Sequence, residues 1–259
     1  MSIPVIGTAV VKDPRWVRRL YESVDYPVDN FFIINNNGRG EIDAELDAMR
    51  DAPNPMVGRL HISHMPSNVG VAASWNLVIK CFVNERHWVI VNDDVAFLPG
   101  LLEELHAAAR NPDVGIVNAY KGDFDLGAWD LFLIKDWVVR SHGLFDENLY
   151  PAYCEDADYI MRLISRPVKR HIGLETKYLH GDGMCDEYYT HGSQTKKSSD
   201  ELYRRLSQVN ETNFIYLNEK WGEGWRSCQP HKRPFDNEAN KLGHTTWDLD
   251  FVRSKHLGF

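Results

Sequence analysis

The segment Trp88-Val89-Ile90-Val91-Asn92-Asp93-Asp94 places two adjacent carboxylates at the end of a short apolar run. Such a run predicts a buried strand, and the polar step that follows it predicts where the strand ends. Open α/β sheets bind their ligands at the carboxyl ends of the strands. Carboxylate oxygens at that edge are suited to hold a hard divalent cation, which in turn can hold the phosphates of a substrate.

Strand-like and helix-like patterns alternate on both sides of this step. A strand is predicted from Pro4 to Val11, and a helix follows in which Asp13 is the cap and Pro14 lies in the first turn. Further strands are predicted at 31–34, 59–63, 114–119, 131–134 and 177–179, and further helices at 71–82, after Pro99, at 157–164 and from Ser199 to Trp221. This alternation predicts an α/β fold with a mostly parallel sheet between helices.

Composition narrows the class of protein. The chain has 259 residues, of which 43% are hydrophobic and 25% charged, as expected for one large globular domain or a domain with an appendage. The net charge of -8 disfavours a nucleic-acid partner. Neither a signal peptide nor a transmembrane segment is predicted. The four cysteines form no CxxC pair, so we expect free thiols and a cytoplasmic location.

Several segments, in their order and spacing, carry a resemblance to a known family. They are the first strand and helix, Asn35-Asn36-Asn37-Gly38, residues 68–76, residues 91–100 and residues 143–158. Together they resemble the family 2 glycosyltransferases of the GT-A fold, over residues 3 to 182. The resemblance implies a GT-A (Rossmann-like) mixed sheet in a nucleotide-sugar-binding catalytic domain at 1–192. It leaves a helical and irregular C-terminal extension at 193–259, which we expect on the acceptor side of the same domain.

In that family the acidic step is a D-x-D motif whose last Asp binds the cation on the donor's diphosphate. Here Asn92 replaces the first Asp, Asp93 is the middle member and Asp94 matches the last. The resemblance therefore implies Asp94 as a ligand of Mn²⁺ or Mg²⁺, with Asn92 and Asp93 beside the donor. It also implies His180 as a second ligand, with His191 as the rival candidate. A cation there neutralises the charge that a leaving nucleoside diphosphate develops.

The second acidic pair, Glu155-Asp156, opens a predicted helix. The helix dipole favours an ionised carboxylate in the first turn, and such a carboxylate can take a proton from an attacking hydroxyl. In the family the Asp of this pair is the base of inverting members. The resemblance thus implies Asp156 as the catalytic base and Glu155 as a catalytic-site neighbour that orients the acceptor or the helix. The implied reaction moves a sugar from a nucleotide-sugar donor to a hydroxyl of a glycan or glycoconjugate.

The remaining donor-site residues are also implied by the resemblance. The amide of Asn36 stands where the family has a base-reading Asp, and it can both donate and accept. Gly70 would let the backbone approach phosphate or ribose. Trp129 would stack on a sugar ring and Asp130 would bond its hydroxyls. The predicted set, besides Asn92 and Asp93, is Thr8, Val10, Asn36, Asn68, Gly70, Asn76, Trp129 and Asp130.

Two other functions stay open at this point. A sugar-phosphate nucleotidyltransferase uses a similar sheet and acidic site, but it usually needs a glycine-rich, basic loop after the first strand. The segment Gly7-Thr8-Ala9-Val10-Val11-Lys12 lacks that density of glycine. A catalytically inactive relative that only binds nucleotide-sugar is the second alternative, because Asn92 and Asn36 both replace acids of the family.

Overall fold

A seven-stranded sheet forms the centre of the protein, and three short strands form a second sheet. The computed structural model describes residues 2–121, 126–185, 194–198 and 200–222. The strands are β1 (Ile3–Val10), β2 (Val28–Asn35), β3 (Val57–His64), β4 (His87–Val91), β5 (Val95–Phe97), β6 (Ile116–Asn118), β7 (Leu131–Lys135), β8 (Arg170–Ile172), β9 (Tyr178–His180) and β10 (Gly183–Met184). The helices are α1 (Pro14–Glu22), α2 (Asp43–Asp47), α3 (Val71–Cys81), α4 (Leu101–Ala109), α5 (Asp136–His142), α6 (Glu155–Ser165), α7 (Gln194–Lys197) and α8 (Asp200–Trp221), with a 3₁₀ turn at Ala48–Asp51.

The central sheet has the strand order β3-β2-β1-β4-β7-β6-β8. Strands β1 to β4 run parallel, whereas β7 is antiparallel to both of its neighbours, β4 and β6. The mixed, mostly parallel sheet predicted from the sequence is therefore confirmed. β1 has β2 on one side and β4 on the other. The chain therefore adds β2 and β3 on one side of β1 and then crosses to the other side to add β4. A switch point of this kind is where open α/β sheets bind ligands.

Helices cover both faces of the sheet because successive strand residues point to opposite sides. On β1, Ile6 packs in a cluster with Leu20 of α1 and Leu105 of α4. Val5 packs on the other face in a cluster with Val78 of α3. The core is thus two apolar layers with the sheet between them.

Local signals set the ends of the elements near the predicted site. The Asp13 side chain accepts a hydrogen bond from the Arg15 backbone N–H at 3.0 Å, so Asp13 caps α1 as predicted. No strand is predicted between the acidic step and the helix after Pro99. In the structure, the three-residue strand β5 follows the acidic step and pairs with β9, with Val95 opposite His180. A strand of three residues is too short for its periodicity to be recognised.

The helix α8 packs against α6 and the loop before it. Leu217 and Trp221 form an apolar cluster with Leu149, Cys154 and Met161. Residues 223–259 of the expected extension lie outside the described residues, and the domain division at 192 stays a prediction. In the part of the chain that the structure describes, no helix combines the length and the apolar character needed to cross a bilayer.

Candidate active site

Three ionisable side chains meet beyond the end of β4. The Nε2 atom of His180 lies 3.1 Å from Oδ1 of Asp94, and its Nδ1 atom lies 2.9 Å from Oδ2 of Asp130. Strand pairing brings them together, because β5 pairs with β9 and the Asn92 N–H donates to the Asp130 carbonyl oxygen at 2.8 Å. None of the three is more than 8% exposed. The structure therefore brings both predicted metal ligands, Asp94 and His180, to one place.

The two carboxylates hold a charge on the imidazole between them. Burial disfavours protonation of His180, but its contacts with Asp130 and Asp94 outweigh burial and raise its pKa to about 10. Burial likewise opposes ionisation of Asp94, yet His180 keeps the pKa of Asp94 below its usual value. Burial and the neighbouring Asp94 raise the pKa of Asp93 well above its usual value. The acidic step thus contains one carboxylate that favours the ionised form and one that favours the neutral form.

Asp130 is committed to protein partners. Its Oδ1 accepts hydrogen bonds from the Tyr178 hydroxyl at 2.8 Å and from the Leu131 N–H at 3.0 Å, while Oδ2 faces His180. Asp130 therefore orients His180, and its contact with sugar hydroxyls stays a prediction. The sequence analysis missed Tyr178, although Tyr178 and His180 are two apart on β9 and so share a face.

The pair Asp94 and His180 fits a divalent cation. Neighbouring ligands of an octahedral ion with bonds of about 2.1 Å lie about 3 Å apart, close to the observed separation. A carboxylate behind the imidazole, here Asp130, is the usual support of a metal-bound His. Binding at Nε2 requires the imidazole to give up its proton. Within the described ranges, no three His, Cys, Asp or Glu side chains converge as a complete ligand set. The rival ligand His191 lies outside those ranges.

The loop before α6 has an unusual backbone. Tyr153 and Cys154 both have φ of 76°, a left-handed conformation that side chains other than glycine rarely adopt. Strained residues of this kind are concentrated at functional sites. They lead directly to Glu155 and Asp156 in the first turn of α6, where the Asp156 side chain accepts a hydrogen bond from the Ala157 N–H at 2.7 Å. The strained loop therefore sets the direction of the second acidic pair.

The two carboxyl groups of this pair differ in access. Glu155 is buried, its Oε2 has no hydrogen-bond partner among the described residues, and burial with the neighbouring Asp156 raises its pKa to about 8. Asp156 is partly exposed. Burial and the carboxylate of Asp130 raise the pKa of Asp156 above its usual value. Asp156 is thus the acid of the pair that an incoming hydroxyl can reach.

The two acidic segments share one electrostatic environment. Asp130, which contacts His180, raises the pKa of Asp156. Burial, then Glu155 and Asp94, raise the pKa of Tyr153 to about 12, so Tyr153 lies near both segments. Asp130 and Tyr153 therefore connect the two acidic segments electrostatically.

Two buried polar atoms lack partners in the predicted nucleotide pocket. Among the described residues, neither Oγ1 of Thr8 nor Oδ1 of Asn36 has a hydrogen-bond partner. The Asn36 amide donates to Ser74 Oγ at 2.8 Å, and that hydroxyl donates to the Gly70 carbonyl oxygen at 2.6 Å. A buried acceptor without a donor destabilises a protein unless water or a ligand satisfies it. Thr8, on β1, and Asn36, directly after the end of β2, therefore fit a polar ligand.

Gly70 and its neighbours serve the packing of a loop. Gly70 has a φ of 86°, and a Cβ at Gly70 would lie 2.9 Å from the ring of Tyr150 and 3.2 Å from the carbonyl oxygen of Pro151. The glycine thus leaves room for the 150–151 loop, and its approach to phosphate or ribose stays a prediction. The Asn68 side chain accepts a hydrogen bond from the Gly70 N–H at 2.8 Å, which shapes the same turn.

Two other predicted donor residues, Val10 and Asn76, lie in the interior. Val10 is fully buried in the core, and its carbonyl oxygen accepts from the Asn36 N–H at 2.8 Å. The Asn76 amide nitrogen donates to the Phe145 carbonyl oxygen and to Glu147, each at 2.9 Å, which leaves neither amide hydrogen for a donor sugar.

Trp129 packs among aromatic rings. Its ring centroid lies 4.7 Å from that of Phe132 and 5.6 Å from that of Tyr159. The side chain is buried in the core layer of α3 and α6. This places Trp129 in the core, whereas a sugar-stacking ring requires an open face.

Comparison with known proteins supports the same fold. No family model matches the chain. A galactofuranosyl glycosyltransferase of Leishmania donovani is 23% identical, over 69% of this chain and 56% of the relative. The chain thus spans little more than half the length of that curated relative.

Solved structures give a closer view of the architecture. The mannosyltransferase PcManGT of Pyrobaculum calidifontis, solved with GDP-Man and Mn²⁺, aligns with a TM-score of 0.52 at 13% identity, over 66% of this chain and 54% of that one. S. aureus TarS 1-349 with UDP-GlcNAc aligns with a TM-score of 0.55 at 10% identity, over 81% of this chain and 66% of that one. At such identities these likenesses show the fold alone, and they confirm the predicted GT-A fold.

Proposed function

We propose that this chain is a glycosyltransferase that moves a sugar from a nucleotide-sugar to a hydroxyl acceptor, with inversion and with a divalent cation. The observation that carries the proposal is the buried cluster of Asp94, His180 and Asp130, and its support is the effect of Asp130 on the pKa of Asp156. Fold alone does not establish an activity, so the chemistry of the site has to support it. The relatives add to that support, since one is named a galactofuranosyl glycosyltransferase and others were solved with GDP-Man, Mn²⁺ or UDP-GlcNAc.

Donor binding uses the switch point between β1 and β4. The base and ribose lie against Thr8 and Asn36, whose buried oxygens accept or exchange hydrogen bonds with them. Asp94 and His180 would hold Mn²⁺ or Mg²⁺, and Asn92 and Asp93 would lie beside the diphosphate. When bound, the cation neutralises charge on the leaving diphosphate.

Transfer uses the carboxylate of Asp156. The acceptor oxygen forms a bond to the anomeric carbon as the bond from that carbon to the diphosphate oxygen breaks, and the acceptor's proton passes to Asp156. The raised pKa of Asp156 makes its ionised form a better base. Glu155, with a pKa of about 8, stays neutral near pH 7 and so adds no second charge beside the base. The acceptor, a glycan or glycoconjugate, would approach on the side of the C-terminal extension.

The test is release of nucleoside diphosphate from a panel of UDP- and GDP-linked sugars, galactofuranose included, with Mn²⁺, Mg²⁺ or a chelator. Asp156→Asn should lower kcat by about 10²- to 10⁴-fold, because a general base contributes about that much. Binding of the donor, measured by calorimetry, should persist in the variant. Asp113→Asn, at an exposed carboxylate, is the matched control. Full activity of Asp156→Asn would overturn the assignment of the base.

The same assay separates the two alternatives. A nucleotidyltransferase would release pyrophosphate from a nucleoside triphosphate and a sugar phosphate, and would not turn over the sugar-nucleotide with an acceptor. An inactive relative would bind the nucleotide-sugar in calorimetry and release no diphosphate under any metal condition. Diphosphate release that depends on Asp156 contradicts both.

A further inference from the structure

The long helix α8 reaches the strained loop through one buried side chain. Asn213 is fully buried, and its amide nitrogen donates hydrogen bonds to the carbonyl oxygens of Ala152 and Tyr153, both at 2.9 Å. Tyr153 is the first of the two left-handed residues, and Glu155 follows directly after the second. One amide therefore holds the backbone just ahead of the acidic pair.

A buried ionic cluster fixes α8 against the same region. The Lys220 ammonium lies 2.6 Å from Asp146 and 2.7 Å from Asp158 of α6. The Trp221 indole N–H donates to Asp158 at 2.8 Å, and Arg162 is a further partner of Asp158. Because Asp158 is two residues after Asp156, the cluster joins α8 to the first turns of α6. The position of Asn213 is thus set by contacts that lie outside the loop it holds.

A left-handed pair of non-glycine residues persists only where the surrounding structure determines it. The two carbonyl groups that Asn213 contacts belong to this turn, and buried backbone carbonyl groups require hydrogen-bond donors. Removal of the amide leaves them without that donor and lets the loop relax toward ordinary backbone angles. Relaxation would change the direction of the Asp156 carboxyl group, whose pKa Asp130 raises.

We infer that Asn213 is a positioning residue, which holds the loop 152–154 and thereby sets the direction of the Asp156 side chain at the start of α6. The catalytic part of this inference rests on the proposed function, whereas the positioning part depends only on the loop. Helix α8, which the sequence analysis assigned to a C-terminal extension, then helps to position the site.

The positioning part is tested by amide hydrogen exchange on the whole protein. In Asn213→Ala, the amides of 153–158 should exchange about tenfold faster, because two buried hydrogen bonds are lost. Amides of β1 and β4 should keep their wild-type protection, which shows that the variant is folded. Asn218→Ala, at an exposed asparagine on the same helix, should leave both regions unchanged.

A second variant keeps the test decisive if the alanine variant unfolds. Asn213→Asp keeps the shape of the side chain and removes the two N–H donors, and Asn218→Asp adds the same charge to the exposed side of α8. Unchanged exchange of 153–158 in a folded Asn213 variant overturns the inference. The same holds if Asn218→Asp accelerates exchange as much as Asn213→Asp.

The catalytic part is tested by the split between kcat and KM, with UDP-GlcNAc and GDP-Man as donor probes together with any donor that the release assay identifies. Misplacement of the base should lower kcat by about 10- to 100-fold and leave the KM for the donor unchanged. Faster exchange without any turnover in the wild type would contradict the proposed function and leave the positioning role supported. Faster exchange with normal kcat in an active enzyme would overturn the catalytic role of Asn213 and leave the proposed function intact.

Discussion

At the scale of single residues, the side chains around Asp94 act through one another. Asp130 orients His180 and is itself held by Tyr178, so a carboxylate that looked like a sugar ligand has a supporting role. Trp129 also differs from its predicted location, because a ring expected beside the donor sugar lies in the core. Residue type and position along the chain did not distinguish a side chain that faces a ligand from a side chain that supports a neighbouring residue.

Asp130→Asn should weaken binding of Mn²⁺ by about 10- to 100-fold, since it removes the charged support of a metal-ligating His. It should also lower the pKa of His180 below about 10, because one of the two flanking charges is lost. Calorimetry with Mn²⁺ and NMR titration of the imidazole check the two effects. An unchanged affinity for Mn²⁺ would contradict the role given to Asp130. Asp113→Asn serves as the control at an exposed carboxylate.

Thr8→Val should stabilise the ligand-free protein by about 1 kcal/mol, because it replaces a buried hydroxyl that lacks a partner among the described residues. The same change should weaken binding of a nucleoside diphosphate. Thr212→Val is the matched control, since its hydroxyl donates to the Gln208 carbonyl oxygen at 3.0 Å. Denaturant unfolding and calorimetry give the two readouts. Tighter nucleotide binding in Thr8→Val would remove Thr8 from the pocket.

At the scale of elements, α8 and β5 decide the arrangement of the site. The three residues of β5 align His180 with the acidic step through pairing with β9. The helical pattern of α8 was evident in the sequence, but the partner of its buried face was not. Lys220 is fully buried there, against the usual preference of lysine for the surface, because Asp146 and Asp158 neutralise it.

Lys220→Met should lower the free energy of unfolding by about 3–5 kcal/mol, because it leaves buried acids without their cation. Arg162 still neutralises the charge of Asp158, so most of the destabilisation should come from the unpaired charge of Asp146. Urea unfolding at neutral pH measures the change. Lys169→Met, at a largely exposed lysine, should change stability little. A loss below about 1 kcal/mol in Lys220→Met would show that the cluster contributes little to docking α8.

At the scale of the whole molecule, proton uptake on unfolding links stability to pH. Burial, then the nearby His106 and Lys135, lower the pKa of His87 to about 4, whereas the unfolded chain takes up the proton near the usual 6.5. The unfolded state therefore binds more protons between these values, so stability falls as pH falls from 6.5 toward 4. Partial solvent access limits the effect to about 1–3 kcal/mol.

His87→Gln should reduce the loss of stability that the wild type shows between pH 6.5 and pH 4. Above pH 7 the stability of both proteins should depend on pH in the same way. His171→Gln, at an exposed histidine, should leave the pH dependence as in the wild type. Midpoints of urea unfolding between pH 4 and pH 8 measure both variants. Parallel pH profiles for the wild type and His87→Gln would contradict the assignment.

The sequence by itself determined the features that depend on a few neighbouring residues. The capped start of α1 at Asp13, the strand that ends at the acidic step and the alternation that predicts the sheet follow from local hydrogen bonding and hydrophobic periodicity. Only the tertiary structure decided that His180 lies between Asp94 and Asp130, and that Asn213 holds the loop before Asp156. These contacts join segments far apart in the chain, and the packing of β5 on β9 and of α8 on α6 creates them.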